Sequence, residues 1–314
     1  MKDVDRPVSV GLVGTGHWAR TMHAPMHAGD GPTRLAGVWG RDPRRTAAIA
    51  AEHQVPAFGT FDELLESCEA VDFAVPPAVQ AELAPVAAGR GRAVLLEKPL
   101  GLSLTEARDV AGAVEAAGVA NLVVLTKRYH HRTRAFLEEA AALRGHGPVL
   151  GASSRYLHGG FLQGSFAAGD GTTWRSGPLG ALRDLGPHVL DLLDLAVGRI
   201  ASVRVDQSGD AFTTLTTWHD EGPVAQTSLS GHVGTDAVLT DVDVYSSAGV
   251  ARYSTAGMDH GECWATVRAE FAAAVRHGAP VTVDVHRAVQ VAALVDAAER
   301  SWTSGGRVDL PPAV

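Results

Sequence analysis

Five short apolar runs, interleaved with stretches of helical periodicity, fill the first 125 residues, and that alternation excludes most folds. The runs cover residues 8–13, 35–39, 71–75, 93–96 and 122–125. The helical stretches cover 17–27, 42–52, 61–68, 78–88 and 103–117. Each run is apolar at successive positions, so both faces of the sheet it joins must be covered. A parallel sheet with helices on either side meets that demand. Local signals agree. Asp42-Pro43 has the form of an N-cap with proline at the first helical position. Ser103 and Glu106 have the spacing of a capping box. Pro76-Pro77 stops the third run.

From residue 127 the pattern changes. A helix over 132–143 and a strand over 149–157 precede a Gly/Ser-rich loop, 158–180, able to fold over a ligand. A helix over 182–196 follows, then strands at 202–207, 212–219, 224–230, 242–246 and 250–254. Helices over 264–277 and 286–303 close the chain. Alternation such as Thr213 to Trp218 suits an antiparallel sheet with one face solvated or covered by a partner. The expected class is therefore α/β: a doubly wound parallel sheet over 1–126, then an α+β domain over 127–314.

The net charge of −8 argues against a nucleic-acid or anionic-membrane partner. Every apolar run is too short to span a bilayer, and the N-terminus lacks a signal-peptide core. The two cysteines, Cys68 and Cys263, have no metal-ligand spacing and read as thiols of a reducing compartment. A cytoplasmic protein is expected.

Three motifs carry chemistry. The first is Gly14-Thr15-Gly16-His17-Trp18-Ala19, directly after the first strand. Gly14 permits the turn, Gly16 lets backbone approach a pyrophosphate, and Ala19 lets the helix pack on the sheet. The helix N-terminus offers N–H groups to phosphate oxygens. A carboxylate at the end of the second strand would select NAD; here Gly40 and Arg41 stand there. Room plus a guanidinium favours the 2′-phosphate of NADP, with NAD possible. Asp42 is accounted for by its N-cap role. The second motif is Leu95 to Gly101, where a buried strand empties onto Glu97-Lys98-Pro99. A lysine placed there is costly to desolvate and suited to proton transfer. The third is Asp184 and His188, four apart on one helix face, with Asp191 three beyond. The intervening Gly186-Pro187 is expected to disturb or restart that helix. A carboxylate can orient and tune an imidazole. Asp and His can ligate a metal, but no third soft ligand is evident with them, and no metal is expected.

Together these elements resemble the Gfo/Idh/MocA family, which includes glucose–fructose oxidoreductases and inositol dehydrogenases. The resemblance rests on the glycine turn, Glu97-Lys98-Pro99, Trp174-Arg175, the Asp184 to Asp191 helix and the ending from Glu299 to Val308. It implies a Rossmann domain followed by a domain with a large, open, mostly antiparallel sheet that supports homodimers or homotetramers. It implies hydride exchange between nicotinamide and a carbinol carbon of a sugar, cyclitol or related polyol. It further implies catalytic roles for Lys98, His188 and Asp184, and a cis peptide at Lys98-Pro99. Cofactor-binding candidates are Gly14, Thr15, Gly16, His17, Trp18, Arg41, Pro76 and Glu97. Gln80 is a possible addition on the nicotinamide side. Substrate candidates are Lys98, Arg128, Tyr156, Trp174, Arg175, Asp184 and His188. Which of Lys98 and His188 transfers the proton stays open. Two other functions fit the same fold: a non-catalytic NAD(P)-binding regulator, and a reductase of a larger ketone or enone.

Overall fold

The computed structural model describes residues 6–162, 173–175 and 177–311. Two compact units emerge, and neither is continuous in sequence. The first comprises Met1–Tyr129 with His260–Val289; the second comprises His130–Asp259 with Gln290–Val314. The segment 260–289, which sequence reading groups with the second domain, thus returns to the first unit.

The first unit is built on a five-stranded parallel sheet in the order β2-β1-β3-β4-β5. Its strands are β1 (Val8–Val13), β2 (Thr33–Trp39), β3 (Ala70–Phe73), β4 (Ala93–Glu97) and β5 (Asn121–Val124). Helices α1 (Ala24–His27), α2 (Pro43–Glu52), α3 (Phe61–Ser67), α4 (Pro77–Gly89) and α5 (Leu104–Ala117) connect or cover them. A π-helical turn, Ala19–His23, runs directly into α1. Val8, Val10, Leu12, Val71, Phe73, Leu95 and Leu96 are fully buried, as expected of central strands with both faces covered. Each such aliphatic or aromatic side chain contributes roughly 1.5–3 kcal/mol by leaving water.

Asp42 caps α2 as expected, accepting from the N–H groups of Arg44 and Arg45. Ser103 caps α5 by accepting from Glu106 N, but the Glu106 carboxylate binds the N–H of Leu102 instead of completing a box. The full capping box belongs to Thr60 and Glu63 at α3. The third strand stops at Phe73, two residues short of expectation, because Pro76 and Pro77 start α4.

Helix α8 (His260–His277) packs in the first unit against β1, β2 and β5. Arg276 fastens it there. Its guanidinium donates to both carboxylate oxygens of Glu69 at 2.8 and 3.0 Å, and to the carbonyls of Arg6 and Pro7. These charge-assisted bonds hold the Glu69 carboxyl down at about 2.

The second unit carries α6 (His131–His146) and α7 (Gly180–Ala196) against a seven-stranded sheet in the order β11-β10-β6-β9-β8-β7-β12. The strands are β6 (Val149–Leu157), β7 (Ile200–Ser208), β8 (Phe212–His219), β9 (Val224–Ser230), β10 (Leu239–Ser246), β11 (Gly249–Ser254) and β12 (Val308–Asp309). All pairings are antiparallel except β6 with β9. Leu182, Leu185, Val189, Leu192 and Leu193 of α7 pack with Val203, Leu215, Leu229, Val242 and Val244 in one core. The final helix, α9 (Val285–Ser304), supplies Leu294, Ala297 and Ala298 to it. Contrary to the sequence expectation, α7 runs unbroken through Gly186-Pro187. Burial of nearly the whole helix offsets the hydrogen bond that proline forfeits. Residues 163–172 and 176 of the expected Gly/Ser-rich loop lie outside the described residues.

Candidate active site

In the first unit every candidate lies at one edge of the sheet, where its strands end. Strand order reverses at β1, with β2 on one side and β3 on the other, and the glycine turn sits at that switch point. Gly14 has φ +130°, and a Cβ there would run into the Ala74 carbonyl. Gly16 differs: it is exposed, and an added Cβ would meet nothing within 4 Å. The open space over Gly16 is the room a pyrophosphate needs for contact with backbone N–H groups, so these residues fit a dinucleotide. His17 and Trp18 continue the exposed rim, and Thr15 turns toward β2.

At the end of β2, a Cβ on Gly40 would lie 2.6 Å from Thr15 Cγ2 and 3.3 Å from the Oγ1 atoms of Thr15 and Thr46. The glycine is therefore required by close packing. Arg41, Arg44 and Arg45 are all exposed beside it. Asp42 is committed to the helix cap and lies 3.4 Å from Arg45 Nε.

Pro76 occupies the N-cap position of α4, at the exit of β3. Gln80, a candidate for the nicotinamide side, turns inward instead and is fully buried. Its amide clamps the end of β4: Oε1 accepts from Glu97 N at 2.8 Å, and Nε2 donates to the carbonyl of Glu97 at 2.8 Å and to those of Pro99 and Leu100 at 3.3 Å. The Lys98-Pro99 peptide is cis, and Lys98 is half-buried in the turn that follows. Arg128 sits in a short 3-10 turn, Thr126–Tyr129, after β5.

Glu97 is more occupied than sequence suggests. Its Oε1 accepts from Trp18 Nε1 at 3.0 Å and lies 3.1 Å from His23 Nε2; its Oε2 accepts from Lys98 N at 3.1 Å. Behind it, His23 Nδ1 is 2.9 Å from both Asp72 oxygens, and His27 Nε2 is 3.1 Å from Asp72 Oδ2. Sequence reasoning passes over His23, His27 and Asp72. Two signals were available: a carboxylate inside the apolar run Ala70 to Phe73, and two histidines four apart on the helix after the glycine turn.

In the second unit α7 presents Asp184 and His188, both nearly buried. Arg175 Nε lies 3.3 Å from Asp184 Oδ1, and the guanidinium stacks 4.2 Å over the Trp174 ring. Gly180 permits this, since a Cβ there would strike the Arg175 carbonyl. The Tyr156 ring meets His188 edge-on, with centroids 5.8 Å apart. Burial, then the Asp184 charge, pushes the Tyr156 hydroxyl above its ordinary range, so it stays a neutral donor. Asp184, His188, Arg175, Trp174 and Tyr156 thus form one cluster. It offers an imidazole, an anchored carboxylate and a phenol, a set suited to binding hydroxyl groups and moving a proton.

Comparison with known proteins agrees with this geometry. Residues 8–125 match the Gfo/Idh/MocA family, described as an oxidoreductase family with an NAD-binding Rossmann fold. Over 120 residues the chain is 33% identical to the UDP-N-acetylglucosamine 3-dehydrogenase of Acidithiobacillus ferrooxidans, covering 38% of this chain and 37% of that one. Over 110 residues it is 36% identical to D-xylose 1-dehydrogenase (NADP(+)) 2 of Haloferax volcanii, covering 34% of each. The match therefore spans little more than a third of either relative's length. The crystal structure of GenD2 from gentamicin A biosynthesis, in complex with NAD, superimposes with a TM-score of 0.86 at 24% identity, covering 98% of both chains. No helix among the described residues is long and apolar enough to cross a membrane.

Proposed function

We propose, from a chain whose residues 8–125 belong to the Gfo/Idh/MocA oxidoreductase family, an NAD(P)-dependent enzyme acting on a carbinol or carbonyl carbon of a sugar, cyclitol or related polyol. The observation that carries this reading is the shared sheet edge. An open glycine turn at β1 and the Lys98 turn at β4 lie on the same rim of one parallel sheet. Bound nicotinamide would supply the hydride chemistry. The protein's own task is to hold the dinucleotide and manage one proton. Gly14, Gly16 and the following helix N-terminus receive the pyrophosphate, with Thr15, His17, Trp18 and Pro76 around it. Gly40 leaves room at the end of β2, and Arg41 pairs with a 2′-phosphate; NADP is preferred on that ground and NAD remains usable. The contacts of Glu97 with Trp18, His23 and the Lys98 N–H support a positioning part for it.

Lys98 supplies a cation for the reacting oxygen. His188, met edge-on by the Tyr156 ring and flanked by the anchored Asp184, accepts the proton in oxidation and returns it in reduction. Arg175, Trp174 and Arg128 bind substrate hydroxyls. Relatives named for dehydrogenation of a nucleotide sugar and of xylose support a sugar-type substrate. The open sheet of the second unit, with Leu150, Val224, Tyr245 and Val250 exposed, supports a homodimer or homotetramer.

The test is a fluorescence titration with NADPH and with NADH at fixed salt, followed by NADP+ reduction across a panel of polyols and sugars. Saturable binding with turnover on a polyol is the expected result. Binding of neither dinucleotide ends the reading.

A further inference from the structure

The buried group behind Glu97 is unlike ordinary core packing. Asp72, His23 and His27 are each at most 1% exposed, in the interior of the first unit. Isolated charges in such a place are costly, so these must be paired and serve a purpose or be replaced by apolar groups at little loss.

The proton positions follow from donors and acceptors. Arg268 of α8 can only donate, and its Nε occupies the Thr33 hydroxyl oxygen at 2.8 Å. The Thr33 hydroxyl, with a second lone pair and its own proton, pairs with His27 Nδ1, 2.8 Å away. His27 Nε2 faces Asp72 Oδ2 at 3.1 Å, and a carboxylate only accepts, so Nε2 carries a proton. Asp72, an acceptor only, leaves its remaining bonding to His23 Nδ1–H. On the far side, His23 Nε2 faces Glu97 Oε1, an oxygen that already accepts from Trp18. A lone pair facing a carboxylate oxygen would repel it, so Nε2 also carries a proton. Trp264 of α8 covers the imidazole edge-on at 5.1 Å and seals it from solvent.

We propose that His23 is a standing imidazolium and a positioning residue: it ties Asp72 in the sheet core to Glu97 and so fixes the turn that carries Lys98. The geometry gives the mechanical link. Glu97 Oε1 is held by His23 and Trp18, and its Oε2 binds the Lys98 N–H. Gln80 fixes only the main chain of that segment; the orientation of the Glu97 carboxylate depends on His23 and Trp18. Trp18 belongs to the glycine turn, so the same carboxylate couples the exit of β1 to the exit of β4.

The same contacts set the charge state. Burial opposes the cation, but Asp72 and Glu97 outweigh it and push the imidazole up to about 10. The groups facing it are Asp72 from β3, Glu97 from β4, His27 from its own helix and, through Thr33, Arg268 from α8. A raised folded-state value means that this contribution is full below the ordinary 6.5 and is lost as pH rises through about 10.

Only the kinetic arm of the test rests on the dehydrogenase reading. In the full-length protein with 15N-labelled histidine, both ring nitrogens of His23 are expected at protonated shifts from pH 6 to pH 9, assigned by their loss in His23→Gln. A pyridine-type nitrogen on His23 at pH 7 overturns the proposal. Hydrogen exchange over residues 94–102 reports the Lys98 N–H. His23→Gln is expected to speed that exchange roughly tenfold while peptides from α5 and β5 keep their rates; unchanged Lys98 exchange overturns the positioning claim. If the variant does not fold, the wild type decides: protection, corrected for intrinsic rate, stays flat to pH 9 and falls through pH 10. In turnover, His23→Gln is expected to lower kcat about 10- to 100-fold with the NADPH Kd little changed. Should no dinucleotide bind, the nitrogen shifts and exchange rates still decide for or against His23, and only the dehydrogenase reading falls.

Discussion

Gly40 is where the structure makes cofactor choice testable with an atomic cause. A Cβ at this position would sit 2.6 Å from Thr15 Cγ2, closer than carbon atoms approach without displacement, and 3.3 Å from two threonine hydroxyl oxygens. Its φ is outside the positive region, so the obstacle is space and not backbone conformation. Thr15 is β-branched and sits in the glycine turn itself, so relief means moving the turn or turning its side chain off a preferred rotamer. Overpacking of this kind costs about 1–3 kcal/mol, or roughly 5- to 150-fold in an equilibrium. Gly40→Asp, meant to install an NAD-type carboxylate, should therefore weaken NADPH and NADH together. Thr15→Ser removes Cγ2 and nothing else. In Gly40→Asp/Thr15→Ser, NADH affinity should recover while NADPH stays weak, because the carboxylate accepts from a ribose hydroxyl and repels a 2′-phosphate. The assay is a four-protein cycle of Kd values for both dinucleotides, with thermal melting alongside. If Gly40→Asp alone binds NADH as tightly as the double variant, the Thr15 contact does not control this site and the reasoning fails.

Other expectations follow from the same geometry. Arg41→Ala should weaken NADPH about tenfold or more, the loss of one charge-assisted pair, and leave NADH nearly unaffected; equal losses in the titration would remove the 2′-phosphate role. Lys98→Met should retain dinucleotide binding while turnover drops by about 10²–10⁴; wild-type turnover would take Lys98 out of the chemistry. Arg276→Met should lower the melting temperature and flatten its acid dependence. Arg276 depresses the Glu69 carboxyl, so the pair stabilises fully above the ordinary 4.5 and loses that contribution as pH falls through about 2. Identical acid melting curves for variant and wild type would show that Arg276 does not fasten α8.

The parallel sheet was legible because its cause is local. Strands such as Val8–Val13 and Ala93–Glu97 are apolar at consecutive positions, and only a doubly covered sheet buries both faces. Gly14, Gly16 and Asp42 were legible for the same reason: a turn, an open approach and a helix cap each act within a few residues. Lys98 stood out because a charge at the mouth of an apolar strand is costly.

Other features depend on groups far apart in sequence. Return of α8 to the first unit depends on Arg276 reaching Glu69, 207 positions away. Gly186-Pro187 reads as a break, yet burial across α7 carries the helix through it. Gln80 passes for a polar contact with ligand until the backbone at the end of β4 and in the turn after it is seen to engage its amide. Asp72, His23 and Glu97 lie on three separate elements, and the local signals each gives do not say that the three meet. What the sequence by itself determined is what short-range sterics and hydrophobic periodicity dictate: five strands, their covering helices and a glycine turn. Which polar groups share a buried space only the tertiary structure decided, because hydrogen bonds and charges act over about 3 Å, a distance the chain order does not encode.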